Sequence, residues 1–243
     1  MKVIKTKDYQ EMSQVASQMI IDAINKKNDL KICFATGGTP VGTYANLIQA
    51  YDNKQVSFDK ITTFNLDEYV NLAIENPCSY HYFMNQKLFD HINVAKSKIN
   101  FPNGIGNIEQ NAKDYEATIK KHNGIDFMIL GIGTNGHIAF NEPGSKMTDR
   151  TREVHLTNST IKSNQIYFND ISEVPKTAIS MGIGTILEAK QIILLANGVS
   201  KAQAIKDTIE GEITSLVPAS FLQTHKNVTL IIDQEAASLL DKN

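Results

Sequence analysis

The residues best suited to chemistry lie in segment 131–143, which reads GIGTNGHIAFNEP and combines an imidazole, a carboxylate, two amides and several glycines. The imidazole belongs to His137 and the carboxylate to Glu142. The segment follows the apolar run Phe127–Leu130, whose length and composition predict a buried parallel strand. Open α/β sheets bind ligands beyond the carboxyl ends of their strands. We therefore predict an active-site loop here.

Two adjacent carboxylates, Asp67 and Glu68, follow a second predicted strand at 61–65. Burying both is costly unless a cation or a proton lies nearby, and such a cost is typical of a functional site. The alternative is a helix N-terminus, where acidic residues in the first turn are common. The sequence leaves both interpretations open.

A glycine-rich turn, Thr36-Gly37-Gly38-Thr39-Pro40, joins a predicted strand at 31–35 to a predicted helix at 41–50. This arrangement presents backbone N–H groups to an anion, with two threonine hydroxyls beside them. No Gly-Lys-Ser/Thr follows, so the turn is not a Walker loop. A phosphate on a small metabolite fits it better than a nucleotide, although an ordinary strand-to-helix turn remains an alternative.

A lysine follows another predicted strand, 191–196, and its loop Asn197-Gly198. Lys201 suits a point charge for a phosphate, or a solvated helix residue. Segment 145–158 is polar and rich in turn-forming residues, and we consider both closure over a substrate and an ordinary surface loop.

The remaining pattern predicts helices alternating with strands. We predict helices at 8–28 with Asp8 as N-cap, at 80–91 capped by Ser79, at 108–122 and at the C-terminus, and further strands at 177–181 and 228–232. No repeat, low-complexity tract or linker interrupts residues 1–243. The predicted fold is therefore α/β, a single domain with one doubly wound, mostly parallel, Rossmann-like sheet and helices on both faces.

The composition excludes several classes of partner. With 42% hydrophobic and 21% charged residues and a net charge of -2, the chain offers no basic surface for nucleic acid. It has no signal-peptide core and no apolar run long enough to span a membrane. Cys33 and Cys78 lack the spacing of a disulfide framework or zinc site. We expect a cytoplasmic protein without nucleic-acid or membrane partners.

Two cofactor interpretations fail on the residues. GIGTNG matches the dinucleotide fingerprint, but Pro143-Gly144 would stop the helix that the fingerprint requires. No metalloprotease, nucleophile-elbow or EF-hand motif is present, and the six histidines show no ligand spacing. We expect neither a metal nor a cofactor.

The chain resembles the glucosamine-6-phosphate deaminase family nearly from end to end. The matching motifs are ATGGTP, TFNLDEYV, GHIAFNEPG, VPKTAISMGIGTIL and NGVSKAQAI. The related 6-phosphogluconolactonases normally lack the Phe-Asn-Glu-Pro continuation. The resemblance implies cofactor-free conversion of glucosamine 6-phosphate and water into fructose 6-phosphate and ammonia on a Rossmann-like sheet.

Residue by residue, the resemblance implies a division of labour. Asp67 matches the family's proton-abstracting carboxylate, His137 its ring-opening acid and base, and Glu142 the acid that orients the imidazole. The phosphate-holding positions match Gly38, Thr39 and Lys201. An imidazole can move a proton at neutral pH, and a carboxylate can take the hydrogen from carbon 2 of the opened sugar.

Three positions depart from the family pattern. Asn135 stands where many members have an aspartate beside the histidine, and we keep it among the candidate catalytic residues. Ile166 replaces an arginine that holds the phosphate, so either Lys162 or another cation substitutes, or the substrate differs. Arg152-Glu153-Val154 lacks the Arg-x-Lys pattern of allosteric members.

Other functions stay open. Galactosamine-6-phosphate deamination is the first alternative, followed by a lactonase-like hydrolase and a non-catalytic sugar-phosphate sensor. The resemblance covers both monomers and homo-oligomers.

Overall fold

The fold is built on a seven-stranded parallel sheet and a separate three-stranded sheet. In this computed structural model, which describes residues 1–241, the strands are β1 (Lys2–Thr6), β2 (Lys31–Phe34), β3 (Thr62–Asn65), β4 (Asp67–Tyr69), β5 (Ile99–Asn100), β6 (Phe127–Leu130), β7 (Arg152–His155), β8 (Thr177–Ser180), β9 (Gln191–Ala196) and β10 (Val228–Asp233). The large sheet has the order β1-β10-β9-β6-β2-β3-β5. All its neighbouring strands are parallel.

Helices surround this sheet. They are α1 (Tyr9–Lys26), α2 (Val41–Asp52), α3 (Tyr80–Lys87), α4 (Ile108–Lys121), α5 (Asn158–Asn164), α6 (Ile183–Leu187) and α7 (Ala202–Ile209), with short 3-10 turns between some of them. Every residue of β3, β6 and β10 is buried, as expected for strands covered on both faces. The predicted α/β class with a mostly parallel sheet is confirmed.

Local sequence explains where two helices begin. The side chain of Asp8 accepts a hydrogen bond from Glu11 N at 2.9 Å, and that of Ser79 accepts one from Tyr82 N at 3.0 Å. Both are N-caps that satisfy an otherwise unpaired backbone donor. The predicted helix 80–91 ends earlier than expected, at Lys87, and continues as a 3-10 turn.

The small sheet was not predicted. It has the order β4-β8-β7 and is antiparallel. The strand predicted at 177–181 is β8 and lies here rather than in the large sheet, and β7 lies in the segment predicted to be irregular. These strands have three or four residues, too few for a periodic signal. They form by pairing with distant residues, since Ser180 in β8 lies opposite Asp67 on one side and Arg152 on the other.

Three other elements differ from the sequence prediction. The strands β1 and β5 were missed, since one is an edge strand with interspersed lysines and the other has two residues. The predicted C-terminal helix is wrong, because residues 234–239 form turns instead. Within residues 1–241, none of the helices has both the length and the apolar character needed to cross a bilayer.

Candidate active site

A cavity of about 310 Å³ lies at the carboxyl end of the large sheet. Its wall is formed by loops that follow β2, β3, β6 and β9, together with part of α5. The predicted site residues that line it are Thr36, Gly37, Gly38, Thr39, Asp67, Asn135, His137 and Lys201. Glu142 is not a lining residue and contacts the imidazole from behind. The structure thus brings these nine residues together, eight in the wall of the cavity and Glu142 behind it.

The glycines of the central loop make room for the imidazole. A Cβ on Gly133 would overlap the ring of His137, and Gly133 N donates to His137 O at 2.9 Å. Gly136 has φ +80°, a left-handed conformation that favours glycine. The loop therefore folds back on itself and holds the ring over Gly133. The glycines are needed to make room for the histidine, and no nucleotide-binding role is required to explain them.

Glu142 is held by the same loop. Asn135 Nδ2 donates to Glu142 Oε2 at 2.7 Å, and Asn135 Oδ1 accepts from His137 N at 3.2 Å. His137 Nδ1 lies 3.4 Å from the same Oε2, an ion-pair distance that falls short of good hydrogen-bond geometry. Asn135 thus acts as a bridge between the carboxylate and the histidine backbone.

The surroundings of Glu142 favour its ionised form. Burial by itself raises the pKa of this carboxyl, but the imidazole of His137 and the donors Thr160 and Asn135 outweigh burial and lower the pKa to about 2. Glu142 is therefore a permanent anion beside the imidazole, suited to orienting the ring and to stabilising its protonated form.

Asp67 has the opposite environment. It is 6% exposed, and none of the hydrogen bonds found within residues 1–241 reaches its carboxylate. Burial, and then the neighbouring Glu68, raises the pKa of Asp67 to about 8. A buried carboxyl without donors that faces a cavity is a candidate general base, because its pKa lies close to neutral pH.

The neighbouring carboxylate has a structural task. Glu68 accepts hydrogen bonds from Tyr69 N at 2.8 Å, Tyr80 N at 3.0 Å and His81 N at 2.9 Å. It thereby satisfies the first donors of α3, a helix that begins at Tyr80. The alternative that the acidic pair forms a helix N-terminus of its own is wrong, because both residues lie in β4: Glu68 binds the start of a distant helix, whereas Asp67 faces the cavity.

The glycine-rich turn and the lysine loop meet at the other side of the cavity. Thr39 Oγ1 donates to Asn197 Oδ1 at 3.0 Å and joins the two loops. Gly37 has φ +97°, and Pro40 provides no capping side chain for α2. Val41 N and Gly42 N at the start of α2 are already paired, with Gly38 O at 3.3 Å and the hydroxyl of Tyr9 at 2.8 Å. Among the described residues, none of the hydrogen bonds uses Gly38 N or Thr39 N, so these donors of the turn are the ones available to an anion.

Lys201 supplies the positive charge at this place. It is the only lysine or arginine among the described residues that line the cavity, and burial lowers its pKa. Ile166, where the family pattern has an arginine, is 78% exposed and does not line the cavity, and neither does Lys162. The expectation that Lys162 replaces the arginine is not supported by this arrangement, whereas Lys201 lines the same cavity as the glycine-rich turn.

Sequence reasoning missed the residues of α5. Thr160 donates a short hydrogen bond to Glu142 Oε1, and Thr157 donates to the same oxygen at 3.2 Å. Asn164 Nδ2 donates to the hydroxyl of Tyr69 at 2.8 Å. Segment 145–158, which we considered as a closing element, contributes no lining residue among those described, and the wall comes from α5. No motif in the sequence pointed to these hydroxyls.

Known proteins match this chain along most of its length. The family described as glucosamine-6-phosphate isomerases/6-phosphogluconolactonase matches residues 5–231. A glucosamine-6-phosphate deaminase of Clostridium novyi (strain NT) is 51% identical over 99% of this chain and 100% of that protein. One of Thermoanaerobacter sp. (strain X514) is 48% identical over 99% of this chain and 95% of that protein.

Solved structures give the same result. A monomeric glucosamine-6-phosphate deaminase superposes with a TM-score of 0.97 at 45% identity, covering 98% of this chain and 100% of that one. The 6-phosphogluconolactonase of Trypanosoma brucei reaches a TM-score of 0.77 at 20% identity over 99% and 98%, a likeness of fold alone. With a family match along most of its length and relatives near half identity, the chain belongs to the glucosamine-6-phosphate isomerase/6-phosphogluconolactonase family.

Proposed function

We propose that this protein is a glucosamine-6-phosphate deaminase, which converts glucosamine 6-phosphate and water into fructose 6-phosphate and ammonia. The observation that carries the proposal is the pairing, around one cavity, of an Asp67 carboxyl that lacks donors with an imidazole backed by the Glu142 anion. The relatives that bear this name support it.

The first step is opening of the sugar ring. His137 takes the proton of the anomeric hydroxyl and returns a proton to the ring oxygen, so that the bond between carbon 1 and that oxygen breaks. Glu142 stabilises the protonated imidazole and holds its orientation. Asn135 fixes Glu142 and the backbone of His137 together.

The second step is isomerisation. In the open chain the aldehyde and the ammonium group acidify the hydrogen on carbon 2, and Asp67 removes it and delivers it to carbon 1. A carboxyl with a pKa of about 8 can both accept and return that proton near neutral pH. The resulting ketimine adds water at carbon 2 and loses ammonia, which leaves the ketose.

The phosphate group supplies orientation. We assign it to the turn from Thr36 to Pro40, including Gly37, Gly38 and Thr39, and to the ammonium group of Lys201. Fixing a remote anion places the reacting carbons against the base and the imidazole, and positioning of this kind is a large part of many rate enhancements. Since Ile166 provides no charge, Lys201 carries this interaction with the backbone donors.

The direct test is release of ammonia. Purified protein with glucosamine 6-phosphate should release ammonia and form fructose 6-phosphate in equal amounts, without added metal or nucleotide. The matched control is D67N, which keeps the shape of the side chain and removes the base. Absence of ammonia at saturating substrate would refute the proposal.

The epimer is the nearest alternative, favoured by the two departures at Ile166 and Asn135. Equal concentrations of glucosamine and galactosamine 6-phosphate should show faster turnover of the former. A lactonase would instead hydrolyse 6-phosphogluconolactone with full activity in D67N, because lactone hydrolysis needs no proton abstraction from carbon 2. A sugar-phosphate sensor would bind tightly in calorimetry without turnover.

We extend the proposal to the rest of the expectations. All 243 residues act as one domain in the cytoplasm, with an amino-sugar phosphate as the ligand and with neither a cofactor nor a nucleic-acid or membrane partner. A main hydrophobic cluster that includes Met12 and Ala236 supports the single domain. The monomeric relative supports a monomer over a homo-oligomer, which light scattering on the purified protein would test.

A further inference from the structure

The carboxylate of Glu142 is divided between two partners. Its Oε2 faces the imidazole and accepts from Asn135, whereas its Oε1 faces α5 and accepts from the hydroxyls of Thr160 and Thr157. A carboxylate can rotate about its last bond, so the donors on Oε1 decide where Oε2 points. The first turn of α5 therefore contributes to the geometry of the imidazole without touching it.

Thr160 makes the shorter of the two hydrogen bonds to Glu142 Oε1. The hydroxyl of Thr157 already accepts from Thr160 N at 3.3 Å as the helix cap, and its one hydrogen is shared among Glu142, Ser159 and Thr160. The hydroxyl of Thr160 directs its hydrogen to Glu142 Oε1. Its side chain is 4% exposed, so water does not readily replace this bond.

Resting on the proposed function, we propose that Thr160 is a positioning residue for the ring-opening step, which fixes the Glu142 carboxylate against His137 and makes this geometry depend on the placement of α5. Thr160 also lines the cavity, so the same turn of helix encloses the substrate and holds the carboxylate. Thr157 caps α5 and Thr160 lies in its first turn, so a displacement of α5 would remove both hydroxyl donors from Glu142 at once.

The test separates this role from substrate contact. In T160V, which keeps the shape and removes the donor, kcat should fall about 10-fold with KM within about 2-fold, because loss of a hydrogen bond to a charged group costs this much. T160S keeps the hydroxyl and should stay within about 3-fold of the wild type. T118V is the matched control, since the exposed hydroxyl of Thr118 bonds only the backbone of α4, and it should leave kcat unchanged.

A double-mutant cycle identifies the partner. If Thr160 acts through Glu142, T160V should change kcat by less than about 2-fold in the E142Q background. A full 10-fold loss in that background, a rise in KM with unchanged kcat, or a T160S enzyme as slow as T160V would overturn the proposal. If T160V does not fold, T160A is measured in the same cycle with the same expected outcomes.

A readout without substrate keeps this inference distinct from the proposed function. The imidazole ¹⁵N signals of His137 in the free protein should shift in T160V and stay unchanged in T118V. Unchanged signals in T160V would overturn the positioning role. If the wild type releases no ammonia but the His137 signals still shift in T160V, the deaminase proposal is refuted and the linkage between Thr160 and Glu142 remains.

Discussion

Two aspartates, at opposite ends of the same parallel sheet, show how differently this fold treats a carboxylate. Asp67 follows β3 at the carboxyl end, and Asp126 precedes β6 at the amino end. Asp67 is buried, whereas Asp126 is only partly buried. Asp126 accepts from Lys190 Nζ at 2.7 Å, Lys27 Nζ at 2.9 Å and Lys31 N at 3.0 Å.

The donors reverse the effect of burial. For Asp126, burial raises the pKa, but the lysine contacts outweigh burial and bring the pKa to about 2. For Asp67, burial acts without opposition and Glu68 adds to it, so the pKa rises to about 8. The comparison teaches that hydrogen-bond donors can outweigh burial and turn a carboxylate into a stabilising group, whereas deep burial without donors keeps a carboxylate reactive at a cost.

The largest effect should come from removing the reactive carboxylate. D67N should lower kcat for ammonia release by about 1000-fold, because a general base contributes roughly that much. The matched variant D126N should keep kcat within about 2-fold. Steady-state ammonia release measures kcat for both variants. A D67N enzyme with kcat within 10-fold of the wild type would contradict the role of Asp67 as the general base.

The pH dependence tests whether Asp67 really titrates near neutrality. Since the ionised carboxylate is the active form, kcat/KM should rise with pH and level off above about 8, with a loss of roughly 100-fold at pH 6. A plateau that already begins at pH 5 would mean that Asp67 has an ordinary aspartate pKa and would contradict the raised value. The profile of D126N should coincide with that of the wild type.

Glu142 sharpens the comparison, because it lies at the carboxyl end with Asp67 but has a pKa of about 2, as Asp126 does. Its donors make it a partner for His137 rather than a base. E142Q should therefore lower kcat by about 10- to 100-fold, less than D67N, since it loosens the imidazole without removing the proton acceptor. A loss in E142Q equal to that in D67N would contradict this division.

Stability should respond in opposite directions and by the smallest amounts. Because the pKa of Asp67 is raised in the folded protein, folding favours the protonated carboxyl. The resulting stability is fully present below pH 4 and is lost as pH rises through about 8, so D67N should be more stable than the wild type at pH 8 by about 2 kcal/mol. Asp126 contributes stability above pH 4 that is lost as pH falls toward 2, so D126N should lose about 1 kcal/mol at pH 8. Urea unfolding at pH 8 measures both, and shifts of the same sign would break the comparison.

Local pattern in the sequence was enough for much of this molecule. The apolar runs of β6 and β9 predicted buried strands, and Asp8 and Ser79 predicted where their helices begin, because burial on both faces and capping leave their mark on neighbouring residues. Polar residues placed directly after predicted strands located the cavity, since parallel strands end at one edge of a sheet.

Only the tertiary structure decided what depends on distant partners. The small sheet exists because β4, β7 and β8 meet there, and strands this short carry no periodic signal of their own. The sequence does not distinguish the roles of the neighbouring carboxylates Asp67 and Glu68. The fold does, because it gives three backbone donors to Glu68 and, among the described residues, none to Asp67. Thr160 could not be predicted at all, because its contact with Glu142 is made in space and not by spacing along the chain.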